Sequence, residues 1–137
     1  MGVCTFFGHR NCPDGLKHRL RAVIIDLITS CGVDVFYVGH QGGFDRLVRG
    51  VLREITQEYP QMRYAVVLAY MPSENSVLGD TSDTMLPEGI ELVHPRYAIS
   101  WRNNWMLQQS DFVIAYVAHS WGGAAQYVQK AIMGDII

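Results

Sequence analysis

The sequence has little of what marks a secreted, membrane-embedded or metal-binding protein. Its three cysteines, Cys4, Cys12 and Cys31, are odd in number and form no Cys-x-x-Cys pair, so neither a zinc site nor a disulfide framework is predicted. No apolar run approaches the roughly 18 residues that a membrane-spanning helix requires. The first residues also lack the basic start and apolar stretch of a signal peptide. We therefore expect a cytoplasmic protein with reduced thiols and no membrane partner.

Strong charge is missing as well. Only 18% of the residues are charged, and the formal net charge is −2 at pH 7. A protein that neutralises many phosphates needs a basic surface, so nucleic acid is not an expected partner. The 49% hydrophobic content and the length of 137 residues suit a single globular domain, residues 1–137, with one core.

Short apolar runs alternate along the chain with amphipathic helical patterns. The predicted strands are Val3–Phe7, Val35–Val38, Tyr64–Met71 and Phe112–Val117, with two further short ones at 90–93 and 136–137. The predicted helices cover residues 16–30, a stripe from Phe44 to Ile55, residues 96–109 and residues 124–133. This alternation implies right-handed βαβ units. We predict an α/β, Rossmann-like, doubly wound parallel sheet of about five strands in the order 3-2-1-4-5, with Phe112–Val117 fourth and helices on both faces.

Each of three predicted strand ends carries glycine and histidine. These segments are Gly8-His9-Arg10, Gly39-His40-Gln41-Gly42-Gly43 and His119-Ser120-Trp121-Gly122-Gly123. In open parallel sheets, ligands bind beyond the carboxyl ends of the strands, where the strand order reverses. Because the first strand lies between the other two in the predicted order, the three loops are expected to share one crevice. We predict a ligand site there.

The residue types in this crevice suit an anionic ligand. Arg10 is predicted to clamp a phosphate, because a guanidinium matches that group bidentately. Ser120 and the N–H groups of Gly122 and Gly123 would cradle a phosphate at a helix N-terminus, although Ser120 could instead only cap that helix. The histidines lack accompanying carboxylate or cysteine ligands at suitable spacing, so neither a metal nor a cofactor is predicted.

Several alternatives stay open around this crevice. Asp45 either accepts a hydrogen bond from a ribose hydroxyl or simply places a favourable charge near a helix N-terminus. Trp121 either stacks on a base or packs between the loop and a neighbouring element. The long irregular stretch at residues 72–88 is either a lid over the site or a plain surface loop.

The motifs and their order resemble the SLOG superfamily, and above all its YpsA-like branch of small bacterial and phage proteins. The resemblance spans nearly the whole chain and is carried by Phe7-Gly8-His9-Arg10, Gly39 to Asp45, Arg102-Asn103 with Ser110 to Tyr116, and Ser120 to Gly123. The superfamily also includes the Lonely-guy (LOG) enzymes and the Rossmann domain of DprA. It implies a Rossmann-like fold whose glycine loops bind a nucleotide or a nucleotide-derived ligand, often as a sensor.

One departure from the family pattern bears on catalysis. The Lonely-guy enzymes cleave the N-glycosidic bond of nucleoside 5′-monophosphates with the glutamate of a Pro-Gly-Gly-x-Gly-Thr-x-x-Glu motif. The matching stretch here has alanine at the threonine position, and no glutamate follows up to Lys130. A neutral Gln126 can neither act as a general base nor stabilise an oxocarbenium ion by charge. We therefore expect a binding module rather than an enzyme.

Two other functions remain open at this point. The first is a phosphoribohydrolase in which Asp45 or Glu88 replaces the missing glutamate. The second is a protein-interaction module with a vestigial pocket, in which Trp101 and Trp105 on one helix form a homodimer interface. Homodimerisation is also compatible with nucleotide binding, and we expect it.

Overall fold

The computed structural model describes residues 2–13, 15–70 and 83–117. In these ranges the strands are β1 (Gly2–Gly8), β2 (Val33–Val38), β3 (Arg63–Val67), β4 (Thr84–Met85) and β5 (Phe112–Tyr116), and the helices are α1 (Leu16–Cys31), α2 (Gly42–Glu58) and α3 (Ala98–Gln109). All strand pairs are parallel, in the order β4-β3-β2-β1-β5. The predicted α/β, Rossmann-like architecture is confirmed.

Helices cover both faces of the sheet, as predicted. On one face α1 and α2 pack over β1 and β2, where the rings of Phe6 and Phe36 stack with their centroids 6.0 Å apart. On the other face, Met106 of α3 packs against alternate strand residues such as Phe7 and Val67. This two-sided burial explains why the strands read as continuous apolar runs in the sequence.

The amphipathic stripe of α2 faces the core as the sequence predicts. Val48, Val51, Leu52 and Ile55 are all fully buried, because residues spaced three and four apart lie on one side of a helix. Helix α1 ends at the predicted stop, Gly32, which adopts the left-handed conformation with φ 70°. None of the helices in the described ranges is both long and apolar enough to cross a membrane.

The structure corrects three details of the strand prediction. The third strand ends at Val67 rather than at Met71. The outermost strand, Thr84–Met85, lies inside the stretch predicted as irregular and pairs with β3. The predicted strand at residues 90–93 is wrong, since Ile90–Leu92 is a 3-10 turn closed by hydrogen bonds from Leu92 N to Gly89 O and from Val93 N to Ile90 O.

The reason for the last error is local. Gly89 has a φ of 95°, a left-handed conformation that turns the chain before a strand can begin. The helix predicted at residues 124–133 and the strand predicted at 136–137 lie outside the described residues. Their prediction is therefore not tested.

Candidate functional site

The strand order reverses between β1 and β5. The chain moves outward from β1 through β2 and β3 to β4, then returns through α3 to place β5 on the opposite side of β1. The last residues of the two strands, Gly8 and Tyr116, are paired. Loops that follow β1 and β2 therefore emerge beside this reversal, where open α/β sheets bind ligands.

The structure brings two of the three predicted loops into direct contact. The N–H of Gly43 donates a hydrogen bond to the carbonyl oxygen of Arg10 at 2.8 Å. Gly42 has a φ of 86°, and a Cβ there would lie 2.9 Å from Cγ of Arg10. The third predicted loop, His119 to Gly123, lies outside the described residues, so its role stays a prediction.

The glycines of these loops permit close packing of the chain on itself. A methyl group on Gly8 would overlap the ring of Phe44, and one on Gly43 would overlap the carbonyl oxygen of Arg10. The loop after β1 can therefore close on the first turn of α2 only because these positions lack a Cβ. We name this contact region, formed by Gly8, Arg10, Gly42, Gly43 and Phe44, the β1–α2 junction.

Arg10 lies at the N-terminus of α2 with its backbone fixed and its side chain exposed. The N–H of Gly43 holds the Arg10 carbonyl, so the main chain of Arg10 is fixed beside the start of α2. A helix N-terminus carries a partial positive charge. The junction therefore brings two positive groups together at the carboxyl edge of the sheet.

Asp45 supplies the acidic side chain of the first turn of α2. It is only 8% exposed, and its Oδ2 accepts a hydrogen bond from the N–H of Gln41 at 2.9 Å. Burial raises the pKa of this carboxyl to about 6, against the opposing effects of the Gln41 N–H and of Arg102 and Arg49. Asp45 therefore lies in the first turn of α2, and both of its predicted roles, a charge near the helix N-terminus and a contact with a ribose, stay predictions.

Arg102 of α3 completes this region, although the strand-end pattern in the sequence does not predict it as a ligand-binding residue. Its side chain is buried, its Nη1 donates to the carbonyl oxygen of Val67 at 2.9 Å, and its Nε donates to Oδ1 of Asn103 at 2.7 Å. The guanidinium therefore lies across the carboxyl ends of the strands. The signal available in the sequence was Arg102-Asn103 itself, which the family resemblance had already singled out.

Because Gly39 has no side chain, the carboxylate of Asp45 and the guanidinium of Arg102 can approach the end of β2. A Cβ on Gly39 would lie 2.9 Å from Oδ2 of Asp45 and 3.0 Å from Nη1 of Arg102. Both contacts are too close for a side chain to fit without a shift. This predicted site residue thus has a definite role, which is to make room for an arginine and a carboxylate above the strand end.

His40 follows Gly39 and lies among arginines. Its pKa is lowered, first by burial and then by the positive charges of Arg49, Arg102 and Arg46. Its Nδ1 is buried without a hydrogen-bond partner, and so is Nε of Arg49. We name the group formed by His40, Asp45, Arg46, Arg49 and Arg102 the β2 cluster.

The remaining predicted residues are mostly packed within the chain. His9 is 8% exposed, and its ring meets Tyr116 edge-on at 6.1 Å between centroids. Trp105 packs against Tyr37 at 5.3 Å, so the proposed dimer face is partly used inside the chain. Within the described residues, no three His, Cys, Asp or Glu side chains lie close enough together to hold a metal ion.

Comparison with known proteins does not assign a family. No protein-family model matches the sequence, and no curated protein matches it. The resemblance to SLOG proteins therefore depends on the motifs quoted above. A functional proposal has to be argued from the geometry of the site.

Proposed function

We propose that this protein binds a nucleotide or a nucleotide-derived phosphate ligand at the carboxyl edge of the sheet, beside β1. The observation that carries the proposal is the position of Arg10 at the N-terminus of α2, held there by the N–H of Gly43 at 2.8 Å. An anion at this point gains both from the guanidinium and from the helix dipole.

The β2 cluster supports an anionic ligand independently. Three arginines, Arg46, Arg49 and Arg102, act on His40, and Asp45 is the carboxylate among them. An excess of positive charge at one edge of the sheet raises the local concentration of anionic ligands. A phosphate-bearing molecule suits such an edge better than a neutral or cationic one.

The site supports binding better than N-glycosidic cleavage. A hydrolase of this kind needs a carboxylate that reaches the sugar. Asp45 is 8% exposed and its Oδ2 accepts the hydrogen bond from Gln41. A sensor or binding module, as the SLOG resemblance implies, is therefore the function that we propose.

Replacement of Arg10 by alanine tests the proposal. Loss of a charged, bidentate phosphate contact is expected to weaken nucleotide binding by about 10- to 100-fold. Isothermal titration calorimetry with nucleoside mono-, di- and triphosphates measures the effect. Circular dichroism checks that the fold is retained.

The matched control is Arg63→Ala. Arg63 is exposed and is the first residue of β3, so it lies at the amino ends of the strands, whereas the proposed site lies at their carboxyl ends. Its replacement removes the same charge away from the site and should leave nucleotide affinity unchanged. Absence of any nucleotide binding by the unaltered protein, or equal weakening by both substitutions, would contradict the proposal. Release of free base from nucleoside monophosphates would move the function to the hydrolase class.

A further inference from the structure

A cavity of about 340 Å³ opens at the carboxyl end of β3. It is lined by Ala69 and Tyr70, which follow that strand, and by Ala98, the first residue of α3. Further apolar side chains in the lining are those of Leu86, Pro87, Ile90 and Val93. Sites for small molecules are clefts of this size, mostly apolar and with a few polar groups.

This cavity adjoins the β2 cluster. Ala98 lies one turn before Arg102 on α3, and residues four apart on a helix are neighbours on one face. Arg102 Nη1 donates to the carbonyl oxygen of Val67, the last residue of β3, at 2.9 Å. The same Nη1 would lie 3.0 Å from a Cβ on Gly39, directly after β2. The guanidinium therefore connects the end of β2 to the end of β3, beside the cavity.

The spacing of the strands suits a ligand that reaches from Arg10 to the cavity. Thr5, Tyr37 and Ala65 lie level across β1, β2 and β3, so Arg10 and Tyr70, each five residues further along, leave the sheet at the same edge. Neighbouring strands lie about 4.8 Å apart, which separates the ends of β1 and β3 by about 10 Å. A ribose separates the phosphate and the base of a mononucleotide by a distance of this order.

The two ends of this stretch carry opposite charge. Arg10 and the N-terminus of α2 are positive, whereas Glu88 and Glu91 line the cavity. Oε2 of Glu91 accepts a hydrogen bond from the N–H of Gly89 at 3.2 Å, and a carboxylate has about four acceptor positions in all. Ionised carboxylates only accept hydrogen bonds, so the cavity favours a ligand group that presents N–H donors.

Guanine presents such donors side by side. Its N1–H and its 2-amino group are adjacent on one edge of the ring, so carboxylate oxygens can accept from both. Adenine places the N1 acceptor beside its 6-amino group, and a carboxylate would there face a lone pair. The ring of Tyr70, which is 45% exposed and whose hydroxyl donates to the carbonyl of Pro95 at 3.0 Å, offers a surface on which a base can stack.

We infer that this cavity binds the base of the nucleotide and selects guanine. Glu88 and Glu91 accept hydrogen bonds from the N1–H and the 2-amino group, and Tyr70 stacks against the ring. This inference rests on the proposed function and narrows the ligand class to guanine nucleotides with a phosphate at Arg10. The charges at the two ends of the site then match those at the two ends of the ligand.

Isothermal titration calorimetry with the 5′-monophosphates of guanosine, inosine and adenosine tests the inference. The guanine nucleotide should bind at least tenfold more tightly than the adenine nucleotide. The inosine nucleotide, which keeps N1–H but lacks the 2-amino group, should fall between them. Glu88→Gln combined with Glu91→Gln should remove the guanine preference, because neutral amides replace the charged acceptors. Arg10→Ala should weaken all three ligands by the same factor.

The matched control is Glu54→Gln combined with Glu58→Gln. Both residues are exposed on α2, where they pair with Lys17 and Arg21 of α1, and neither lines the cavity. Their replacement removes the same two charges and should leave the guanine preference intact. In a second pair of variants, Tyr70→Ala should weaken all three nucleotides by about 5- to 100-fold, whereas Tyr70→Phe, which keeps the ring, should have a smaller effect.

Three results would overturn the inference and leave nucleotide binding itself standing. They are equal affinity for the guanine and adenine nucleotides, a guanine preference that survives the replacement of Glu88 and Glu91, and equal losses from Tyr70→Ala and Tyr70→Phe. Failure of the unaltered protein to bind any nucleoside mono-, di- or triphosphate would instead remove the proposed function and the base site together.

Discussion

The β1–α2 junction and the β2 cluster lie side by side on one edge of the sheet, yet they are built in different ways. In the junction, main chain meets main chain, and the contacts depend on glycines that leave room for Phe44 and Arg10. In the cluster, the side chains of Asp45 and Arg102 approach Gly39 from α2 and α3, and the charges of Arg46 and Arg49 act on His40. Steric fit therefore determines the structure of the junction, and electrostatic interactions determine the structure of the cluster.

The two regions therefore serve different roles in a binding site: the junction positions a loop, and the cluster supplies charge. The junction fixes the loop position through close packing, which resists displacement. The cluster keeps buried charges and two unpaired polar atoms, features that lower stability but favour a ligand of opposite charge. The substitutions below probe this contrast through the free energy of unfolding.

The largest effect is expected from Arg102→Met, which removes the buried cation of the cluster. The carbonyl of Val67 would lose its 2.9 Å hydrogen bond, and buried Asp45 would lose a positive neighbour. Breaking a buried charged arrangement from one side costs about 4 kcal/mol of folding free energy. Urea unfolding at pH 7 measures the loss.

The surface substitution Arg63→Met serves as the reference for Arg102→Met. Exposed positions away from special features change stability by only about 0.5 kcal/mol or less. If Arg102→Met lowered the free energy of unfolding no more than Arg63→Met does, the Arg102 guanidinium would not stabilise the carboxyl end of β3. The view that charge interactions hold the cluster together would then be wrong.

The next effect is expected from Gly8→Ala in the junction. The added methyl group would overlap the ring of Phe44, which is fully buried and stacks on Tyr116 at 6.2 Å. Because that ring has little room to move, overpacking should cost about 3 kcal/mol. Thermal and urea unfolding should both report the loss.

Gly50→Ala is the matched control for Gly8→Ala. Gly50 lies within α2, is exposed, and has no atom within 4 Å of the place its Cβ would take. Alanine there should raise stability by about 0.5–1 kcal/mol through the higher helix propensity. If both substitutions changed the free energy of unfolding in the same direction, the conclusion that steric fit determines the junction would be contradicted.

The same contrast explains what could be predicted from the sequence. The strands, the helices and the loop glycines were predictable because apolar runs, amphipathic stripes and glycine clusters are local patterns. The β2 cluster was not, since Arg49 and Arg102 are far apart in the sequence and neither has a pattern that indicates burial. His40 was predicted as a site residue, but its arginine neighbours depend on how α2 and α3 pack.

The outer strand was missed for a related reason. Thr84–Met85 has only two residues, too short for any alternation to show. Its pairing with β3 depends on the tertiary position of the chain, with the N–H of Leu68 donating to the carbonyl of Met85 at 2.9 Å. A local sequence pattern cannot predict a strand whose formation depends on pairing with a neighbouring strand.

The smallest effect, and the one that depends on pH, is expected from Asp45→Asn. In the folded protein burial raises the pKa of Asp45 from its ordinary 3.8 to about 6. The folded state therefore binds this proton more tightly than the unfolded state does. The stabilising contribution of the protonated carboxyl is fully present below about pH 4 and is lost as the pH rises through 6.

Asparagine removes this titration and keeps an amide oxygen that can accept from the N–H of Gln41. The difference in unfolding free energy between Asp45→Asn and the unaltered protein should therefore shift in favour of the variant by roughly 2 kcal/mol between pH 4 and pH 7. His40 is present in both proteins and the arginines stay charged between pH 4 and pH 7, so that difference reports mainly on the carboxyl. Urea unfolding at both pH values measures the shift, and parallel pH profiles would mean that burial does not raise the pKa of this carboxyl in the folded protein.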